Sequence, residues 1–129
     1  MQRLESENAS LRQAVGGPGA YECQVRDVHE LSDDGILVEA TAAFRAQALG
    51  VKFVVNRDSG LITGGVGGNG NFDSREVTFT PPGNPFYVVS TSRAPHRNVE
   101  YLSIRDWAEG PEKPFVLAES SNVFTGSCR

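Results

Sequence analysis

Two cysteines lie at opposite ends of one long stretch of β-type sequence, and they constrain the fold more than any other feature of the chain. Cys23 lies in the first apolar segment of that stretch, and Cys128 is the penultimate residue. If the two pair, they close a loop of about 100 residues, which in the chain-entropy model stabilises the fold by up to about 4 to 5 kcal/mol. The first and last strands would then be neighbours. The alternative is two separate free thiols.

The cysteines also bear on the compartment. Bonds between distant cysteines are typical of oxidising compartments and rare in the cytosol. The segment after Met1 is polar and does not resemble a signal peptide, and no run approaches the roughly 18 apolar residues of a membrane span. We therefore predict the soluble part of a longer exported protein, periplasmic or extracellular. Its signal, or an anchor to the bacterial envelope, would lie upstream of Met1, and contact with a membrane is expected only through such an anchor.

The composition is that of one globular domain with a short appendage. Hydrophobic residues make up 39% of the 129 residues and charged residues 22%. The net charge of −4 is dispersed along the chain. Because nucleic-acid-binding domains carry a basic patch or stripe, we expect no nucleic-acid partner.

The first fifteen residues carry a heptad pattern. Apolar or a/d-compatible residues recur at spacings of three and four, namely Met1, Leu4, Asn8, Leu11 and Val15. The pattern predicts a coiled-coil-like helix over residues 1–16 that makes the chain an oligomer. The alternative is a helix that packs on its own domain, because two heptads are short for a coiled coil.

Three residues of this helix set the expected oligomer. Asn8 falls at an a position, where a buried amide fixes the register and favours a parallel dimer over a trimer. Glu7 falls at g and Arg12 at e, so the two can pair between chains. Residues 17–20 then form a Gly/Pro linker, and residues 21–129 form a β-rich domain.

Short β segments separated by turn signals fill that domain, which predicts a mainly β fold, a small antiparallel barrel or sandwich. One segment, residues 42–50, is rich in helix formers and predicts a short internal helix. In residues 99–107 the apolar residues Val99 and Tyr101 are followed out of phase by Leu102 and Ile104. This predicts a bulge or a short helix there.

Five segments of the domain resemble small exported bacterial proteins of uncharacterised function. They are FVVNRDSGLITGG, PFYVVSTS, VEYLSIRDW, KPFVLAES and NVFTGSC. The shared features are an early cysteine, a central F-x-V-x-R-x-[ST]-G-x-[IV]-x-G hairpin, a late Pro-Phe strand and a terminal TG-x-C. The resemblance covers residues 21–129. It implies an envelope location and a Cys23–Cys128 bond, and it brings no activity and no catalytic residues.

We identify no catalytic residues, metal ligands or cofactor site. The two histidines, His29 and His96, lie on separate segments, whereas a metal site needs three or four convergent donors. No serine lies in a nucleophile elbow. The glycine-rich residues 64–73 lack the lysine and the following helix of a phosphate-binding loop, and they predict a flexible connection.

An aromatic residue in that connection is the candidate contact for a partner. Phe72 is flanked by Asn71 and Asp73, and loops on rigid β scaffolds often carry recognition. We therefore expect a non-enzymatic exported module that binds an unknown protein partner. The alternatives are a small-ligand carrier that uses the interior of the β domain and, with least support, an enzyme.

Overall fold

The computed structural model describes residues 19–65, 72–79, 85–92 and 98–129. These residues form one antiparallel sheet of nine strands and one short helix. The elements are β1 (Tyr21–Leu31), β2 (Leu37–Glu39), α1 (Ala42–Ala48), β3 (Lys52–Val55), β4 (Ile62–Gly64), β5 (Ser74–Phe79), β6 (Phe86–Thr91), β7 (Val99–Ile104), β8 (Lys113–Glu119) and β9 (Asn122–Cys128). The predicted helix over residues 1–16 lies outside the described residues.

The sheet is a half-barrel. Its strand order is β4-β3-β1-β9-β8-β7-β6-β5, and β2 pairs with the part of β1 that β3 leaves uncovered. The prediction of a mainly β, antiparallel fold is confirmed. Within the described chain β4 and β5 are the two ends of the sheet and no ladder joins them, so the architecture is neither a closed barrel nor two packed sheets. No helix in this part of the chain is long and apolar enough to cross a bilayer.

Alternation along each strand builds the core on the inner face of the sheet. Val88, Leu102, Leu117 and Phe124 are partners in register on four adjacent strands. Each is at most 4% exposed. Since side chains two residues apart share a face, the same alternation places the neighbouring cross-strand rows inside as well.

One bulge and one glycine make the junction of β1 and β9 possible. The register shifts between Val25 and Asp27, so that Val25 and Val28 both face the core across an odd spacing. Gly126 lies opposite Val25, and a Cβ atom there would stand 2.0 Å from the carbonyl oxygen of Gln24. Only glycine fits at this point.

The predicted helix over 42–50 is confirmed as α1. Its first turn is capped by Thr41, whose hydroxyl accepts the amide hydrogen of Phe44. Arg45 then ties α1 to the bulge of β1, with Nη1 at 2.6 Å from Oδ1 of Asp27. This hydrogen bond lowers the pKa of the Asp27 carboxyl. The helix therefore packs directly beside the β1–β2 hairpin.

The expected bulge or short helix in residues 99–107 is wrong. β7 is a regular strand with a single phase from Val99 to Ile104. Val99 and Tyr101 are exposed, whereas Leu102, Ile104 and the charged residue Glu100 face the interior. The phase change in the sequence arises because an acidic residue occupies a core-facing position.

Candidate functional site

The cysteine pair joins the first and last strands, β1 and β9, as predicted. Cys23 and Cys128 are direct partners on β1 and β9 and are joined by a disulfide, with their Cα atoms 3.9 Å apart. The neighbouring residues Glu22 and Arg129 exchange both backbone hydrogen bonds, so the cysteines occupy a non-hydrogen-bonded pair, where side chains approach most closely. The predicted adjacency of the first and last strands is confirmed.

The other predicted site residues are placed differently. The six expected oligomer contacts, between positions 4 and 15, and Asn71 lie outside the described residues. Phe72 is only 8% exposed, and Asp73 is exposed. The amide of Asp73 already bonds to the carbonyl oxygen of Thr91, so Phe72 packs beside the start of the β5–β6 ladder rather than standing on an open loop.

The histidines offer no metal centre in the parts of the chain that the structure describes. His29 lies on β1 with Nδ1 at 3.8 Å from a carboxylate oxygen of Asp27, and His96 falls in a gap between described segments. Among the described residues no three His, Cys, Asp or Glu side chains come close enough together to hold a metal ion.

The most exposed apolar surface lies on the β1–β2 hairpin. We call residues 30–39 the hairpin tip. Leu31, Ile36, Leu37 and Val38 are 51%, 61%, 53% and 44% exposed. Leu31 and Leu37 are cross-strand partners, whereas Val38 projects from the opposite face. Neither face of the tip is covered by the other residues that the structure describes.

Local sequence fixes the shape of the tip. The amide of Ser32 bonds to the carbonyl oxygen of Ile36 at 2.8 Å, and the Ser32 hydroxyl accepts the Ile36 amide. Gly35 supplies a positive φ of 81° between them. These bonds hold the tip as an ordered turn, so its apolar side chains are presented in a defined arrangement.

The tip is also acidic. It carries four carboxylates and neither lysine nor arginine; the acids are Glu30, Asp33, Asp34 and Glu39. An apolar surface with a rim of one charge is typical of an interaction site rather than of ordinary solvated surface.

A second unusual feature lies inside the same end of the sheet. Ser90, Glu100 and Glu119 are partners in register on β6, β7 and β8, and Arg75 on β5 lies opposite Ser90. Ser90 is 1% exposed and Glu100 is 2% exposed. We call these four residues the carboxyl row. In the next inward-facing row of the same strands, the corresponding positions are apolar.

The carboxyl row holds a proton. The pKa of Glu100 is raised to about 8, mainly by burial and also by a hydrogen bond with Glu119, while the positive charge of Arg75 opposes the shift. Glu100 is therefore protonated near neutral pH and donates to Glu119. A carboxyl that keeps its proton is a poor general base for Ser90, whose hydroxyl has no hydrogen-bond partner among the described residues.

The sequence contained a signal for this row. Continuing the inward face of Ile104 and Leu102 back by two residues leads to Glu100. The sequence did not reveal this alternation, because Val99 and Tyr101 are apolar and were assumed to face inward, which would place Glu100 outside. Glu119 is the last residue of β8. A charged residue at a strand end is expected to be exposed, so nothing in the sequence indicated that Glu119 belongs to this row.

The described interior is filled with side chains rather than open. The core residues of β6 to β9 are nearly all below 5% exposed. A surface groove of about 570 Å³ is lined by outward-facing residues such as Tyr101, Ser103 and Val116. No observation in the described chain favours a carrier that encloses a ligand.

The comparisons with known proteins assign no function, so a functional proposal has to rest on the geometry of the chain. No protein-family model, no curated protein and no solved structure matches this chain.

Proposed function

We propose that this chain is a non-enzymatic module of an exported protein and that it binds a protein partner through the hairpin tip. One observation carries the proposal, which is the joint exposure of four aliphatic side chains on a single ordered hairpin. Isolated exposed aliphatic residues are common, but a group of four on the two faces of one hairpin, with a charged rim, marks an interaction surface.

The apolar area of the tip is large enough to support binding of a partner. Each of the four side chains is roughly half exposed. Covering the remaining area contributes about 1 kcal/mol per side chain, or about 4 kcal/mol for a partner that covers both faces of the tip, before the entropic cost of association. Such a contact supports a moderate affinity, which charge complementarity at the rim would increase.

The remaining parts of the proposal concern location and assembly. The Cys23–Cys128 bond is compatible with an oxidising compartment, and we place the module in the periplasm or outside the cell. The heptads of residues 1–16 are proposed to join two chains in parallel. Two tips on one dimer would raise avidity without any new contact.

A site-specific photo-crosslinker at Leu31 tests the proposal in the exported protein. We expect one discrete adduct with a partner protein, and we expect Leu37→Asp to abolish it by placing a charge in the contact. A crosslinker at Val116, which is 41% exposed on the outer face of β8, is the matched control and should give no such adduct. An adduct at Leu31 that persists with Leu37→Asp, or no adduct at all, would contradict the proposal.

A further inference from the structure

The outer edge of β2 is open to another strand. β2 pairs with β1 on one side, and the described chain supplies no strand on its other side. Natural edge strands are often kept very short or blocked by charged side chains, especially lysine, by proline or by a bulge. β2 is short and carries one charged residue, Glu39. The three residues of β2, Leu37, Val38 and Glu39, include no lysine or proline, and their register with β1 is unbroken.

Hydrogen-bond phasing shows which backbone groups face this edge. Ser32 donates to Ile36, and Ala40 donates to Val28. Since bonded and non-bonded pairs alternate in an antiparallel ladder, the bonded position between these two is that of Val38. The amide and carbonyl groups of Val38 therefore point toward β1.

The backbone groups of Leu37 and Glu39 consequently point away from β1. They present two amide hydrogens and two carbonyl oxygens along the free edge. Above and below this edge lie the apolar side chains of the tip. An added strand needs a row of outward-pointing amide and carbonyl groups to pair with, and apolar surface above and below that row for its side chains.

We propose that an extended segment of a protein partner, with alternating apolar and basic residues, pairs with the free edge of β2 and extends the sheet. This rests on the proposed function and adds the chemical class of the partner. The four carboxylates of the tip select a basic segment. They oppose pairing between two copies of this chain, because two acidic tips would repel each other.

The probe is a synthetic peptide of seven residues in which lysine and valine alternate, acetylated and amidated at its ends. On saturation, we expect amide hydrogen exchange at Leu37 and Glu39 to slow by about tenfold or more, as measured by NMR. Exchange at Val38, whose amide is already bonded to β1, serves as the internal reference. A peptide with glutamate in place of each lysine should bind at least about tenfold more weakly, because it meets like charge.

Two substitutions separate backbone pairing from side-chain contact. Leu37→Pro removes an outward amide hydrogen and leaves the bonds of Val38 to β1 in place, and we expect it to weaken peptide binding by about tenfold or more. Leu37→Val keeps both the amide and an apolar side chain, and it should stay within about threefold of the parent.

The outcomes distinguish this proposal from the proposed function. Slowed exchange at Leu37 and Glu39 in the parent chain, with the slowing at Glu39 lost in Leu37→Pro, supports strand addition. Binding without slowed exchange, or equal binding by both Leu37 variants, overturns strand addition but leaves the tip as an apolar contact surface. No binding of the lysine peptide also overturns it. The crosslink at Leu31 tests the proposed function separately, because it requires no particular backbone pairing.

Discussion

The two ends of the half-barrel are built from the same alternating strands but differ in what the inward positions hold. At one end the disulfide lies beside Tyr21, whose hydroxyl donates to Asp106. Arg57 lies over the Tyr21 ring at 4.2 Å and pairs with Asp106 at 3.6 Å. Burial, together with the bond to Asp106, raises the pKa of Tyr21. The Tyr21 hydroxyl, the Asp106 carboxylate and the Arg57 guanidinium therefore contact one another at this end.

At the other end the inward positions hold the carboxyl row, and the hairpin tip extends beyond the core. Glu100 is buried in its protonated form, and the aliphatic residues of the tip are exposed. We expect stability to be concentrated at the disulfide end, because the opposite end keeps features that are costly for folding. Features of that kind commonly accompany function.

The largest loss in the free energy of unfolding is expected when the disulfide is removed. Replacing both Cys23 and Cys128 with alanine should lower the free energy of unfolding by about 4 kcal/mol, because the closed loop spans 105 residues. Urea denaturation of the double variant, with the reduced parent chain for comparison, measures this loss. A loss below about 1 kcal/mol would show that the disulfide end is not the main source of stability.

A smaller loss is expected at the glycine between β1 and β9. Gly126→Ala should cost about 3 kcal/mol, because its Cβ would collide with the Gln24 carbonyl oxygen and the ring of Phe115. Gly110→Ala is the control, since Gly110 has a positive φ of 89° but no atom within 4 Å of an added Cβ. The control should cost only about 1 kcal/mol, from backbone strain. Equal losses in urea denaturation would argue against the close contact.

The carboxyl row should make stability depend on pH. The pKa of Glu100 is raised to about 8 in the folded state, so the folded chain binds more protons than the unfolded chain above the usual glutamate pKa. The contribution of Glu100 to stability is then full below the usual glutamate pKa and is lost as pH rises toward about 8, by at most about 1.4 kcal/mol per pH unit.

Glu100→Gln isolates this contribution. Its amide can still donate to Glu119 but does not titrate, so the free energy of unfolding should fall less steeply between pH 5 and pH 8 than in the parent. Above pH 8 the variant should be the more stable of the two. Parallel curves for Glu100→Gln and the parent would rule out a buried proton at this end.

The smallest effect is expected at the hairpin tip. Ile36→Ser combined with Leu37→Ser should change the free energy of unfolding by less than about 0.5 kcal/mol for each substitution, because both side chains are exposed. The thermal midpoint measured by circular dichroism checks this. A clear loss of stability would mean that the tip packs on its own domain and is not available to a partner.

Much of the fold was predictable from the sequence. The strands and the helix α1 follow from local alternation, turn residues and helix formers. The pairing of β1 with β9 followed from the assumption that the cysteines bond. Glu100 and Phe72 were misplaced for different reasons. For Glu100 the residue type was taken as the guide to exposure, and for Phe72 the glycine-rich neighbours were. Register with neighbouring strands decides exposure, and register is a long-range property.

The sequence by itself determined the elements, the turn at Gly35 and the residue types on each strand, because these depend on preferences within a few residues. Only the tertiary structure decided which of those residues meet. It aligned Ser90, Glu100 and Glu119 in one row from three separate strands. It also left Leu37 and Val38 uncovered, because β3 and the core end before they reach the tip of the hairpin.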